Sequence, residues 1–328
     1  MNILADILSA TLLFAVPLLL VALGGMFSER SGIINIALEG IMVIGALMST
    51  LLLRAFDLTG FGAAQPQLAV LIAIVAAGLS GTIYALLLAF ASINLKADQT
   101  IGGTALNMLA PAFAVVLTWA IQGQGNTTIL IPGWVRITAE NAGLAGNESF
   151  WVRLIFKSLY LTTPMALLLM AVSSFIMYKT RLGLRLRSCG EHPQAADSVG
   201  INVYRMRYIG VLISGFLGGV GGLAFTLAAG SGFQSQVAGY GFLALAVMIF
   251  GNWKPLNILG AALFFAFFKI IGSYSASIPF LPDFKEVRSS EYIYLMLPYI
   301  VTMIVLILTS RKSRAPKAEG IPYDKGAR

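Results

Sequence analysis

Apolar residues fill nine stretches of the chain, at about 7–25, 33–53, 68–92, 101–121, 156–178, 207–229, 238–252, 256–275 and 292–309. Several reach the roughly 20 residues that a helix needs to cross a bilayer core of about 30 Å. The pattern predicts an all-α polytopic membrane protein with about nine transmembrane helices. The seventh stretch is the weakest, being short and flanked by glycine. A transmembrane barrel would show strands of about ten residues alternating apolar and polar, and that pattern is absent. The opening MNILADIL has no basic residue and carries Asp6, which predicts a first spanning helix and not a cleaved signal peptide.

The polar interruptions set the expected orientation. The segment 179–207 holds Lys179, Arg181, Arg185, Arg187, Arg205 and Arg207 against Glu191 and Asp197, and basic loops mark the cytoplasmic side. Counting four spans onward from it returns the C-terminus to the cytoplasm, where Arg311, Lys312, Arg314 and Lys317 lie. Counting backward places the N-terminus outside and Glu29 and Arg30 at the inner face, paired with each other or with water. The division expected is a transmembrane domain over 1–310, with a coupling loop at 179–207 and an external loop at 122–155, followed by a cytoplasmic basic tail at 311–328. The tail reads as polar and disordered, so trimming it after Ser313 should be mild.

Composition narrows the class. The chain is 58% hydrophobic and 11% charged, far from an ordinary soluble domain. Its net charge of +8 is concentrated in loops and tail, a topology signal and not a nucleic-acid groove. Cys189 and His192 are the only cysteine and the only histidine, too few for a disulfide or a zinc or haem site.

Four segments carry candidate chemistry. In GEHPQAADSVGIN, His192 suits a cap, Pro193 the first helical position and Gly200 the left-handed residue past a helix end, predicting a short helix over 193–199. Asn35 and Glu39 are four apart, which predicts one face of the second helix, with Glu39 about two turns in from the inner boundary. That face could line a path or hydrogen-bond another helix. Thr100, Thr104 and Asn107 open the fourth span, ahead of Pro111, and fit either a cavity lining or close helix packing. Residues 230–241 hold too many glycines and polar groups for regular helix and predict an irregular gate near the outer mouth. There Phe233, Gln234, Gln236 and Tyr240 would offer stacking and amide hydrogen bonds suited to a nucleobase and ribose; a plain external loop is the alternative.

The same segments resemble a known family. GEHPQAADSVGIN looks like the coupling-helix loop of permease subunits of ATP-binding-cassette (ABC) importers, with the Ala-Ala pair at Ala195 and Ala196 and the following glycine at Gly200. SERSGIINIALEG, GYGFLALAVMIFGNWKPLNILGAALF and RAPKAEGIPY resemble the branched-chain amino acid and ribose class, in its nucleoside-importer branch. The resemblance implies a type II-like importer permease fold and no catalytic residues or cofactor of its own. It also implies a coupling helix drawn from Glu191, Pro193, Ala195, Ala196, Asp197 and Gly200. The partners implied are an ABC ATPase that uses the ATP, a second permease subunit and an extracellular substrate-binding lipoprotein. The chain itself has no Gly-rich loop ending in Gly-Lys-Ser/Thr. Riboflavin, a simple sugar and branched-chain amino acids are the alternative cargoes. An ion-coupled secondary transporter or an intramembrane enzyme would need more titratable groups at depth, where Glu39 stands close to alone.

Overall fold

The computed structural model describes residues 2–139, 149–157, 159–274 and 315–326, with isolated positions at 296, 300, 303, 304 and 307. Among them, seven helical segments are long and apolar enough to span a membrane. They are α1 (Asn2–Arg30), α2 (Leu38–Leu58), α4 (Pro66–Ala89, continued by a π-helical turn at Phe90–Asn94), α5 (Gln99–Gln122), α7 (Thr162–Lys179), α10 (Val203–Ala229) and α12 (Pro255–Tyr274). Shorter helices are α3 (Phe61–Ala64), α6 (Phe150–Phe156), α8 (Arg181–Glu191), α9 (Pro193–Ser198) and α11 (Tyr240–Phe250). The ninth predicted stretch falls largely outside the described residues. We call the end of the bundle that carries α8 and α9 basal and the other end distal.

Helix α10 is the hub, buried along nearly all its length against α1, α2 and α4. Its glycines explain how. A Cβ on Gly219 would collide with the Ala77 carbonyl of α4, and one on Gly45 of α2 would collide with the Gly219 backbone. Small residues let backbones approach this closely where no aqueous hydrophobic effect drives helices together. By contrast α5 leaves most of its surface open, including Thr100 and Thr104. Asp98 caps its first turn, accepting from the Thr100 and Ile101 amides at 2.8 and 2.9 Å, as a short acceptor at this position should.

Three expectations change. The second helix begins at Leu38, because the backbone before it is satisfied by side chains and not by a helix. The Ile34 N–H donates to Gln99 Oε1 at 2.7 Å, and the Asn107 amide donates to the Ile36 carbonyl at 2.8 Å. Asn35 therefore lies outside α2 and shares no helix face with Glu39. Secondly, α11 has 11 residues, about 16 Å of helix, so it covers only half a bilayer core. Thirdly, the tail segment 315–326 is docked, with Ala318 and Tyr323 buried against the basal end.

Candidate functional site

Between α10 and α11 the chain is broken. Gly230 ends α10 in the left-handed region, and the stretch over 230–241, expected to be an irregular gate, is non-helical backbone that runs into the bundle, with Gly232, Ser235, Ala238 and Gly239 also at positive φ. Near its start it pairs with the loop after α5: Ile129 and Phe233 exchange two backbone hydrogen bonds, each 2.9 Å. Phe233, Ser235 and Val237 are buried, while Gln234, Gln236 and Ala238 are exposed. Helix α11 then starts deep inside, opposite the first turn of α2.

Glu39 fixes that start. Its carboxylate accepts the Gly239 N–H at 2.8 Å and the Gly241 N–H at 2.6 Å, and Phe242 adds a third backbone donor. These are the orphan donors of the first turn of α11, capped by a side chain 200 residues away in sequence. Glu39 also sits in the first turn of its own helix, so two helix N-termini with their unpaired N–H groups converge on this one side chain. This is why a side chain with two acceptor oxygens fits here. The second-helix acid is a tertiary cap, and its depth exceeds the sequence expectation: Leu38 and Ile41 pack on Gly218, about 22 Å along α10 from Val203.

The other polar candidates near this level also satisfy backbone or one another. Asn107 spans the start of α2, donating to Ile36 and accepting from the Gly40 N–H at 2.8 Å. Asn35 donates to Ser214 Oγ at 2.8 Å. Structure thus brings Asn35, Glu39, Asn107 and Tyr240 around the break. Thr100 and Thr104 stand apart on the open face of α5, where Thr104 Oγ1 donates back to the Thr100 carbonyl.

One residue here escaped the sequence reading. Lys269 of α12 lies about 21 Å along its helix, with its ammonium 3.9 Å from the Tyr240 ring centre and 5.3 Å from that of Phe14. Phe225 packs on the same tyrosine at 4.5 Å between ring centres. Glu39 is therefore not close to alone at depth. The signal was visible as a lysine inside FFAFFKIIGSY, since an ionisable group in a span is normally functional or paired. A concavity of about 490 Å³ at the distal end, bordered by Arg54, Asp57, Gln122 and Asn126, was also missed.

At the basal end α9 forms where expected, one residue shorter. Gly200 takes φ +84°, and the Ile201 N–H closes back onto the Ala196 carbonyl at 3.0 Å, a left-handed helix stop. His192 makes no side-chain cap hydrogen bond. Ala195 is exposed, whereas Ala196 is buried under α9. Glu191 pairs with Arg30 at 3.8 Å, and Glu29 accepts the Trp253 indole N–H, so Glu29 and Arg30 do not pair with each other as their adjacency suggested.

A broken helix pair at mid-bundle and a short exposed helix at the basal end are the features of a transport subunit, and comparison with known proteins settles the family. The profile described as "Branched-chain amino acid transport system / permease component" matches residues 7–308. The chain belongs to this permease family. Among its members, it is 43% identical to the guanosine ABC transporter permease protein NupQ of Bacillus subtilis, over 100% of this chain and 99% of that one. It is 41% identical to the nucleoside ABC transporter permease protein NupC of Lactococcus lactis, over 99% and 98%. A putative glucose ABC transporter permease protein of Haloferax volcanii, TsgC13, is 30% identical over 86% and 82%. No solved structure matches the chain. As a multi-pass permease, the chain places its break, with Glu39 and Lys269, within the membrane.

Proposed function

We propose that this chain is one membrane subunit of an ATP-driven importer and that its cargo is nucleosides, moved by alternating access. The observation that carries the cargo is the full-length similarity above 40% to a guanosine and a nucleoside permease. The putative glucose permease stands at 30% over a shorter alignment. The break supports a path: irregular backbone at membrane depth is tolerated where it lines a cavity or is buried in protein, and Gln234 and Gln236 offer amides beside the aromatic Tyr240. Helix α9, with Pro193, Ala195 and Asp197 in it, Glu191 before it, Gly200 after it and Ala196 packing it from beneath, is the contact for a separate ATPase. The open face of α5, with Thr100 and Thr104, faces the second permease subunit. A lipoprotein delivers cargo at the distal end, so the N-terminus is external and the C-terminus cytoplasmic.

Uptake of labelled guanosine by cells expressing the whole transporter tests both halves. Unlabelled nucleosides should compete and riboflavin, glucose and leucine should not; competition by one of the latter alone would reassign the cargo. Ala195→Glu, which alters the exposed face of α9, should abolish uptake while the subunit remains in the membrane. Normal uptake by that variant would remove the ATPase-contact role.

A further inference from the structure

The C-terminal segment docks across the junction where α8, α1, α10 and the end of α11 meet. The Ala318 N–H donates to the Gly190 carbonyl in the last turn of α8 at 2.8 Å, and the Gly320 N–H to the Gly32 carbonyl at 3.3 Å. Arg207 of α10 donates from Nη2 to the Ile321 carbonyl at 3.0 Å, and Tyr323 packs edge-on against Tyr204 at 5.4 Å between ring centres. Lys96, just past the π-helical turn, pairs with Asp324 at 2.9 Å. Five separate ties on the seven residues from Ala318 to Asp324 are far more than a solvated tail makes.

The middle of this strap reaches further in. The Glu319 side chain lies against the carboxyl of Glu29, and Glu29 in turn accepts the indole N–H of Trp253. Trp253 follows directly on the end of α11, in a turn where Asn252 and Trp253 both adopt φ +52°. A run of direct contacts therefore leads from the base of α9, through Gly190, Ala318, Glu319, Glu29 and Trp253, to α11. The far end of α11 is the one capped by Glu39 beside the cargo path. Contiguous contacts between rigid elements are what coupling between distant sites requires.

We propose that the C-terminal strap is a positioning element of the transport cycle, joining the α8–α9 loop to the basal end of α11 through Ala318, Glu319, Glu29 and Trp253. The inference rests on the reading of α9 as the ATPase contact. In that cycle a displacement of α9 by the ATPase carries the strap with it, and the strap shifts α11 at its Trp253 end. Without the strap α9 still meets the ATPase, but its movement is not passed to the break.

The test uses the complete transporter in proteoliposomes, measuring guanosine uptake and ATP hydrolysis together. Ala318→Pro removes the N–H given to Gly190 and disturbs the Pro316–Glu319 turn; truncation after Ser313 removes the strap altogether. Both should keep hydrolysing ATP while uptake per ATP falls by about tenfold, within the range usual for site-to-site coupling. Glu319→Gln, whose amide offers both a carbonyl acceptor and an N–H donor beside Glu29, should stay close to wild type. An unchanged ratio in Ala318→Pro, or a proportional loss of both activities, would overturn the proposal. So would failure of both variants to co-purify with the ATPase, which would make the strap an assembly element. If the wild-type transporter hydrolyses ATP but takes up no guanosine, the cargo reading fails and the strap is judged on hydrolysis alone. Lipoprotein should then stimulate hydrolysis in the wild type and not in Ala318→Pro; equal stimulation would overturn the strap.

Discussion

Helix α11 is held at both ends by a glutamate, and the two anchors differ in kind. At its start Glu39 accepts the Gly239 and Gly241 N–H groups, at 2.8 and 2.6 Å, from a place enclosed by α2 and α11. At its end Glu29 accepts one indole N–H and shares its carboxyl with Glu319 of the strap. The first anchor is closed, because everything it bonds belongs to the break itself. The second is open to the strap, and through it to the basal surface. The difference assigns fixed geometry to the middle of the membrane and adjustable geometry to the end that meets the ATPase in the proposed cycle.

The sharpest way to break this comparison is to remove the closed anchor. Glu39→Ala strips the acceptors from Gly239 and Gly241, and each orphaned buried donor costs roughly 1–3 kcal/mol, so the two together cost about 2–6 kcal/mol. The variant should be depleted from the membrane or melt far below wild type in detergent, measured by size-exclusion chromatography after a heating series. Glu39→Gln keeps one carbonyl acceptor and should lose less. Equal behaviour of Ala and wild type would show that the cap carries no stability, and with it the account of why an acid sits there.

Removing the open anchor should cost less. Trp253→Phe keeps an aromatic ring at this buried position but removes the pyrrole half of the indole, and with it the donor to Glu29, a hydrogen bond to a charged or shared carboxyl worth about 1.5–3 kcal/mol. Thermal stability should drop modestly while uptake per ATP drops more, because the contact lies on the route from strap to α11. A larger stability loss here than in Glu39→Ala would invert the assignment of the two ends.

Much of this arrangement could be read from residue order, and the reasons for the rest are local. Span positions followed from apolar runs, and α9 followed from Pro193 and Gly200, because these signals act over a few residues. The break was foreseen as irregular because its glycines and polar groups are too many for regular helix, and in the structure Gly230, Gly232 and Gly239 all take positive φ, which glycine adopts freely. What replaced the expected shared face of Asn35 and Glu39 is a set of contacts across large sequence separations, Asn35 with Ser214 and Glu39 with Gly239 and Gly241. No periodicity within one segment encodes such partners. Lys269 was legible and overlooked, whereas the docked tail was misread: RAPKAEGIPYDK is polar by composition, yet its backbone groups find acceptors and donors on α8, the turn after α1 and α10. Composition predicts disorder only when a segment has no such surface to meet.

The smallest effect expected is a pH dependence at the open anchor. Burial pushes the Glu319 carboxyl up to about 7 from an ordinary 4.5, against the hydrogen bond from Glu29 and the Arg30 guanidinium, which both pull it down. Around it stand Glu29 and Arg30 of α1, with Arg30 also paired to Glu191 of α8, and Trp253 after α11. Because the docked value lies above the undocked one, the docked strap holds a proton that the released strap has already lost between pH 4.5 and about 7. Docking is therefore fully favoured below that window and weakens as pH rises through it. A nitroxide on Ile321→Cys, in a Cys189→Ser background, should become more mobile as pH climbs from 5 to 8, and Glu319→Gln should flatten the profile. A flat wild-type profile would make this anchor as closed as Glu39, and the contrast between the two ends of α11 would then rest on connectivity alone.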